Sequence, residues 1–159
     1  MKIKNFTHKD YMEASKSRLA ESCALKDQFG VCVYSIYTIG VAFECFLRAT
    51  RKEGLEFDDK HNLIKLYSNS HFPEKLIDRE KSYFSSKLKS IADIWDNTLR
   101  YTSLDKLKKE IGHKLADSRN FLSRQDYKNF DVFMNRNYGC IFDYIKEFIT
   151  EGEKKCMIK

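Results

Sequence analysis

The chain has 159 residues, of which 42% are hydrophobic, and it includes twelve phenylalanines and nine tyrosines. This length suits one domain over residues 1–159 with a core at roughly 8–150, and the apolar content argues against a disordered chain. The net charge of +6 permits contact with nucleic acid or other anions but does not require it. With one proline and six glycines the chain has few turn-forming residues, which favours long helices over strands.

The five cysteines are odd in number and include no C-x-x-C pair. Cys32, Cys45 and Cys140 lie within or beside apolar runs, so we expect reduced, buried thiols in a cytoplasmic protein. Because no zinc-ligand spacing occurs, the sequence predicts no metal and no cofactor. The first ten residues lack the apolar segment of a secretory signal.

In chain order, the first predicted helix begins at a capping box of Thr7 and Asp10 and runs to about Gln28, before Gly30. A second helix spans roughly 31–52, and Gly54 is a candidate C-cap. A short third helix, capped by Asp58 or Asp59, has its apolar residues at Leu63, Ile64, Leu66 and Tyr67.

The fourth predicted helix starts at Pro73, carries apolar residues at helical spacing as far as Trp95, and ends near "NTLRYTS" (97–103). Ser103 can cap a fifth helix, and one long last helix carries apolar residues from Tyr127 to Ile149. Strand alternation and internal repeats are lacking. The predicted fold is therefore an all-α, antiparallel bundle of about five or six helices.

The segment "FGVCVYSIYTIGVAFECFL" (29–47) has nearly the length of a membrane span. A helix that is apolar on all sides is equally typical of the centre of a bundle, and several amphipathic helices in this chain need such a partner. We therefore expect a core helix and no membrane insertion.

Glu44 and Arg48 share one face of that helix, four residues apart. They form either an ion pair that fixes side-chain orientation or a site in which Arg48 binds a phosphate and Glu44 orients it. His61, at the start of the third helix, either anchors a loop or contributes to an anion site. Arg100 either interacts with a helix C-terminus or binds phosphate, with Tyr101 stacking on the bundle or on a base.

These residues follow a familiar order: "AFECFLRAT" (42–50), then "DKHNLIKLY" (59–67), then "LRY" (99–101). The order resembles that of the HEPN family of prokaryotic helical-bundle proteins, over roughly residues 8–150. The matches are Glu44 with Arg48, "KHNL" at 60–63, and Arg100 with Tyr101. The resemblance implies a homodimer and a binding site lined by these residues.

HEPN ribonucleases also carry an Arg, then four to six residues, then a His, and this chain has no such pair in that order. Arg48 and Arg51 lie thirteen and ten positions before His61, and Arg100 lies thirteen before His113. We therefore expect no catalytic residues of that type. The resemblance implies a non-catalytic module that binds a nucleotide, RNA or a nucleotidyltransferase partner, in toxin–antitoxin or phage defence. The alternatives are a divergent metal-independent ribonuclease that uses His61, and a purely structural dimeric scaffold.

Overall fold

A computed structural model describes residues 6–54 and 61–156, and in these ranges the chain is an all-α bundle, as predicted. Its α-helices are α1 (His8–Phe29), α2 (Val33–Ala49), α3 (Leu63–Ser68), α4 (Asp78–Ile94), α5 (Leu104–Asp117), α6 (Arg124–Lys128), α7 (Phe130–Tyr138) and α8 (Cys140–Cys156). Two 3-10 helices, Phe72–Lys75 and Asn97–Tyr101, flank α4. None of the described helices is long and apolar enough to cross a membrane.

The first two helices form an antiparallel hairpin. The predicted capping box opens α1, since Thr7 and Asp10 exchange hydrogen bonds. Gly30 ends it with φ +73°, a left-handed conformation that glycine adopts without strain. Small residues bring the two helices close together, so that the Ser15 hydroxyl donates to the Ala42 carbonyl oxygen at 2.8 Å.

Helix α2 is the central element of the core, as its composition predicted. Ile36, Ile39, Phe43 and Phe46 are fully buried, and the ring of Phe148 in α8 packs on Phe43 with centroids 4.8 Å apart. The apolar character of this segment therefore reflects its burial in the bundle, although one stripe that begins at Tyr34, which is 69% exposed, is only partly covered.

The fourth predicted helix was too long at both ends. Pro73 lies in the first 3-10 helix, and the buried, extended Leu76 separates that turn from α4. At the other end, Trp95 leaves the helical conformation with ψ 128° and buries its ring, while its Nε1 donates to the Tyr37 carbonyl oxygen at 3.1 Å. Tertiary burial of two large side chains thus overrides local helix periodicity.

The prediction of one long last helix was also wrong, because this region is divided into α6, α7 and α8. At the first junction, between α6 and α7, Asn129 has ψ 53° and interrupts the helix. Near the second, the Asn135 and Asn137 side-chain amides donate to backbone carbonyl oxygens at 2.8 Å, competing with the helical ladder. At Gly139 a Cβ would lie 2.5 Å from the Asn135 carbonyl oxygen, which favours glycine in this tight turn.

Three smaller predictions also need correction or comment. Helix α2 ends at Ala49 with Thr50 as its C-cap, so Gly54, at φ +78°, belongs to the following turn. Asn62 caps α3, its side chain accepting from the Lys65 amide, whereas the predicted caps at 58 and 59 lie outside the described residues. All five cysteines are free, but Cys140 is exposed and Cys32 and Cys45 are only partly buried.

Candidate functional site

The centre of the candidate site is a carboxylate on the last turns of α2. Glu44 is only 8% exposed, and its Oε1 accepts a hydrogen bond from Arg48 Nε at 2.8 Å. The Arg48 side chain is 11% exposed. Glu44 and Arg48 therefore form an almost buried ion pair at the end of the most apolar helix. Burying two charges has a high desolvation free energy, which is a large cost for a contact with only a structural role.

His61 completes this cluster from the loop before α3. Its Nδ1 lies 2.7 Å from the second oxygen of Glu44, so one carboxylate holds both basic side chains. The three residues, Glu44, Arg48 and His61, are called the Glu44 cluster below. His61 has φ +69°, a left-handed backbone that costs a non-glycine residue roughly 1–2 kcal/mol. Strained residues of this kind are concentrated at functional sites.

The hydrogen bond also defines which ring nitrogen of His61 faces outward. An ionised carboxylate only accepts hydrogen bonds, so Nδ1 carries the proton that points to Glu44. Nε2 is then the ring nitrogen left for a ligand, and 44% of the His61 side chain is exposed. The cluster thus presents an oriented imidazole above a buried Glu–Arg pair.

Two neighbouring groups show how strongly the cluster is desolvated. Burial raises the pKa of Cys45 to about 11, and the negative charge of Glu44 adds to this effect. Burial also raises the pKa of Tyr11 on α1, although the positive charges of Arg48 and Arg51 oppose it. Both groups are therefore neutral at physiological pH, and Cys45 is not a nucleophile.

Asp96 caps the second 3-10 helix within electrostatic reach of His61. The Thr98 backbone amide donates to Asp96 Oδ1 at 2.7 Å. Hydrogen bonds from Thr98 lower the pKa of this carboxyl, and the charges of Lys114 and His61 lower it further. Asp96 and His61 consequently lie within electrostatic reach, which brings the start of this 3-10 helix towards the cluster.

Arg100 and Tyr101 occupy the far end of the same 3-10 helix. The Arg100 guanidinium carbon lies 4.6 Å from the centroid of the Tyr101 ring, which is 76% exposed. Leu99, 6% exposed, anchors the turn in the core. Among the described residues, no hydrogen bond or ion pair connects this Arg–Tyr pair to the Glu44 cluster.

Of the five predicted site residues, the structure therefore unites three and leaves two as a separate surface pair. The i,i+4 contact of Glu44 with Arg48 is readable from helical spacing. The Glu44–His61 contact and the nearby Asp96 have no signal in the sequence, because they depend on a left-handed turn and on the end of α4. The described ranges contain no group of three or more side chains arranged to hold a metal ion.

Comparison with known proteins identifies no relative of this chain. No family model, curated protein or solved structure matches the chain.

Proposed function

We propose that the chain is a HEPN-like, non-catalytic binding module that recognises the phosphate of a nucleotide or of RNA at the Glu44 cluster. The observation that supports this is the convergence of two motif residues, Arg48 and His61, on the carboxylate of a third, although Glu44 and His61 lie seventeen positions apart. When its ring carries a second proton, His61 supplies an exposed Nε2–H donor, and the Arg48 guanidinium, paired with Glu44, lies behind it. The exposed ring of Tyr101, with Arg100 over it, offers a stacking surface for a base.

Isothermal titration against a panel of mono- and dinucleotides tests this proposal. A charge-assisted hydrogen bond is worth about 1.5–3 kcal/mol, so the His61→Ala variant should bind at least about tenfold more weakly. His113→Ala removes an exposed histidine on α5 and serves as the matched control. Absence of nucleotide binding at millimolar concentration, or unchanged affinity in His61→Ala, Arg48→Ala and Arg100→Ala, would refute the proposal.

A second candidate function, metal-independent RNA cleavage, is favoured by the geometry of His61. A carboxylate that orients an imidazole through Nδ1 leaves Nε2 positioned as a general base. In such a reaction, Nε2 takes the proton of a ribose 2′-hydroxyl and the oxygen attacks the adjacent phosphorus. The 5′-oxygen then leaves with a proton from water, which gives a 2′,3′-cyclic phosphate.

Incubation of the protein with RNA in the presence of EDTA separates the two functions. Cleavage that is lost in His61→Ala, and that spares a 2′-O-methylated substrate, would favour the enzyme. Intact RNA together with saturable nucleotide binding favours the non-catalytic module.

The proposal also includes a cytoplasmic homodimer and, as the resemblance implies, a nucleotidyltransferase partner in toxin–antitoxin or phage defence. The apolar second helix and the aromatic-rich last helix were the expected dimer surfaces, but the core buries most of α2. We therefore propose as the dimer surface a groove of about 360 Å³ beside α5 and α7. Phe29, 60% exposed, and Leu104, 51% exposed, line this groove. Sedimentation of the wild type against Phe29→Glu tests this: a wild type that is monomeric at all concentrations contradicts the dimer.

A further inference from the structure

A concave space lies between α5 and the second 3-10 helix. It is an open pocket of about 280 Å³, called the α5 pocket below. It is lined by the end of α4, by the 3-10 helix with the residues on either side of it, and by α5. Its lining divides into an apolar floor and two polar rims, one on α5 and one on the 3-10 helix.

The floor of the α5 pocket is made of buried aliphatic side chains. Ile94 and Leu99 form one wall, and Leu107 and Ile111 of α5 form the other. Leu107 and Ile111 are four residues apart, so they lie on one face of their helix. An apolar ligand can therefore contact both walls of the pocket at once.

A row of charged side chains on α5 forms the first rim. Lys106, Glu110 and Lys114 follow one another at i,i+4 spacing, next to the buried face of the helix. Lys114 Nζ donates to the Asp93 carbonyl oxygen, which ties this row to the last turn of α4, and an ammonium group has two further donors. Within the described ranges, the side chains of Lys106 and Glu110 form no ion pair, although their spacing permits one, so both head groups can bind a ligand.

The second rim connects the α5 pocket with the Glu44 cluster. The Thr98 amide donates to Asp96 Oδ1 at 2.7 Å, which fixes both residues at the mouth of the pocket. Hydrogen bonds from Thr98 lower the pKa of Asp96, and the charges of Lys114 and His61 lower it further. Asp96 is therefore within electrostatic reach of the α5 row on one side and of His61 on the other, so the pocket and the cluster are neighbours.

Tyr101 lies on the same side of the 3-10 helix as Thr98, which lines the α5 pocket. The two residues are three positions apart, and side chains at i and i+3 are eclipsed in a 3-10 helix. The exposed ring of Tyr101 thus stands beside the mouth of the pocket, where it can stack on a bound aromatic ligand.

We propose that the α5 pocket binds the nucleoside part of a nucleotide, with the base against the apolar floor. That the phosphate of the same ligand reaches the Glu44 cluster rests on the function proposed above. In the described lining two lysines balance two carboxylates, so net charge does not attract an ion to the pocket. A nucleobase is a ring with hydrogen-bond donors and acceptors along its edge, and the row on α5 offers partners for both. The volume of about 280 Å³ is just below the range of drug-sized ligands, which suits a single nucleoside.

NMR shift mapping on the wild-type protein tests the pocket and the cluster separately. Adenosine, guanosine, cytidine and uridine carry no phosphate, and at least one of them should shift the amide signals of Thr98, Thr102 and Glu110 saturably. Inorganic phosphate should instead shift the signals of Arg48 and His61. Nucleoside shifts without phosphate shifts would support the pocket and contradict the function proposed for the cluster. If all four nucleosides leave the pocket signals unchanged, the inference is overturned, whether or not phosphate binds.

Titration calorimetry with the bound nucleoside and with decanoate then identifies the class of ligand. Decanoate also matches an apolar floor beside lysines, so tighter binding of decanoate overturns the inference. Thr98→Phe places a ring at the mouth of the pocket and should weaken nucleoside binding at least about tenfold, whereas Thr150→Phe, at an exposed position on α8, should not. Glu110→Ala should weaken it about tenfold by removing a charged acceptor, and Glu13→Ala, on the exposed face of α1, is the matched control. Equal losses in a variant and its control overturn the inference.

Discussion

Replacing Glu44 by Gln removes one negative charge while keeping the shape of the side chain. In the wild type, its two oxygens accept charge-assisted bonds from Arg48 Nε at 2.8 Å and from His61 Nδ1 at 2.7 Å. Each such bond is worth about 1.5–3 kcal/mol net. The amide oxygen of Gln can keep one bond, but its NH₂ group then faces a second donor. We therefore expect Glu44→Gln to lower the free energy of unfolding by about 2 kcal/mol.

Urea denaturation, combined with a double-mutant cycle, measures this cost and assigns it. Arg48→Met and the Glu44→Gln/Arg48→Met double variant should give a coupling energy of about 1–2 kcal/mol, since the two side chains are in contact. The control is Glu151→Gln on α8, which breaks an exposed i,i+3 pair with Lys154 at 2.7 Å and should cost less than about 0.5 kcal/mol. If Glu44→Gln costs no more than this control, the cluster is not a buried electrostatic unit.

Three further predictions follow from the packing and the titrating groups. Gly40→Ala places a Cβ 1.8 Å from the ring of Trp95, so we expect a loss of about 1–3 kcal/mol in urea unfolding and a changed tryptophan emission, whereas Gly112→Ala should cost less. The pKa of Asp96 is lowered in the folded state, so the stability that this carboxylate contributes is present above its unfolded pKa and is lost as pH falls through the folded pKa. The Asp96→Asn variant should therefore show a flatter dependence of unfolding free energy on pH in the acid range. A slope equal to that of the wild type would contradict this. With a pKa of about 11, Cys45 should resist alkylation at pH 8 in the folded protein and react after unfolding; rapid reaction in the native state would contradict its burial.

The sequence predicts best where one local signal decides the structure. The capping box at Thr7 and Asp10 and the Ser103 cap of α5 were both predicted, because each depends on residues three positions apart. The apolar α2 was also predicted as the core helix. The break between α7 and α8 was not, because it depends on Asn135 and Asn137 bonding to the backbone instead of to solvent.

The candidate site follows the same distinction between local and distant contacts. Glu44 and Arg48 meet within one helix, so periodicity predicts their contact. His61 joins them from another segment with a left-handed backbone, a conformation that side-chain type alone does not predict at a histidine.

The charges of the Glu44 cluster restrict the ligands that it can bind. In the Glu44 cluster, the carboxylate cancels the charge of Arg48, so net attraction for an anion depends on His61 holding a second proton, and nearby Asp96 weakens that attraction. A ligand that binds the Glu44 cluster must gain affinity from further contacts, and an exposed aromatic ring on the nearby 3-10 helix is the feature that a nucleobase can use.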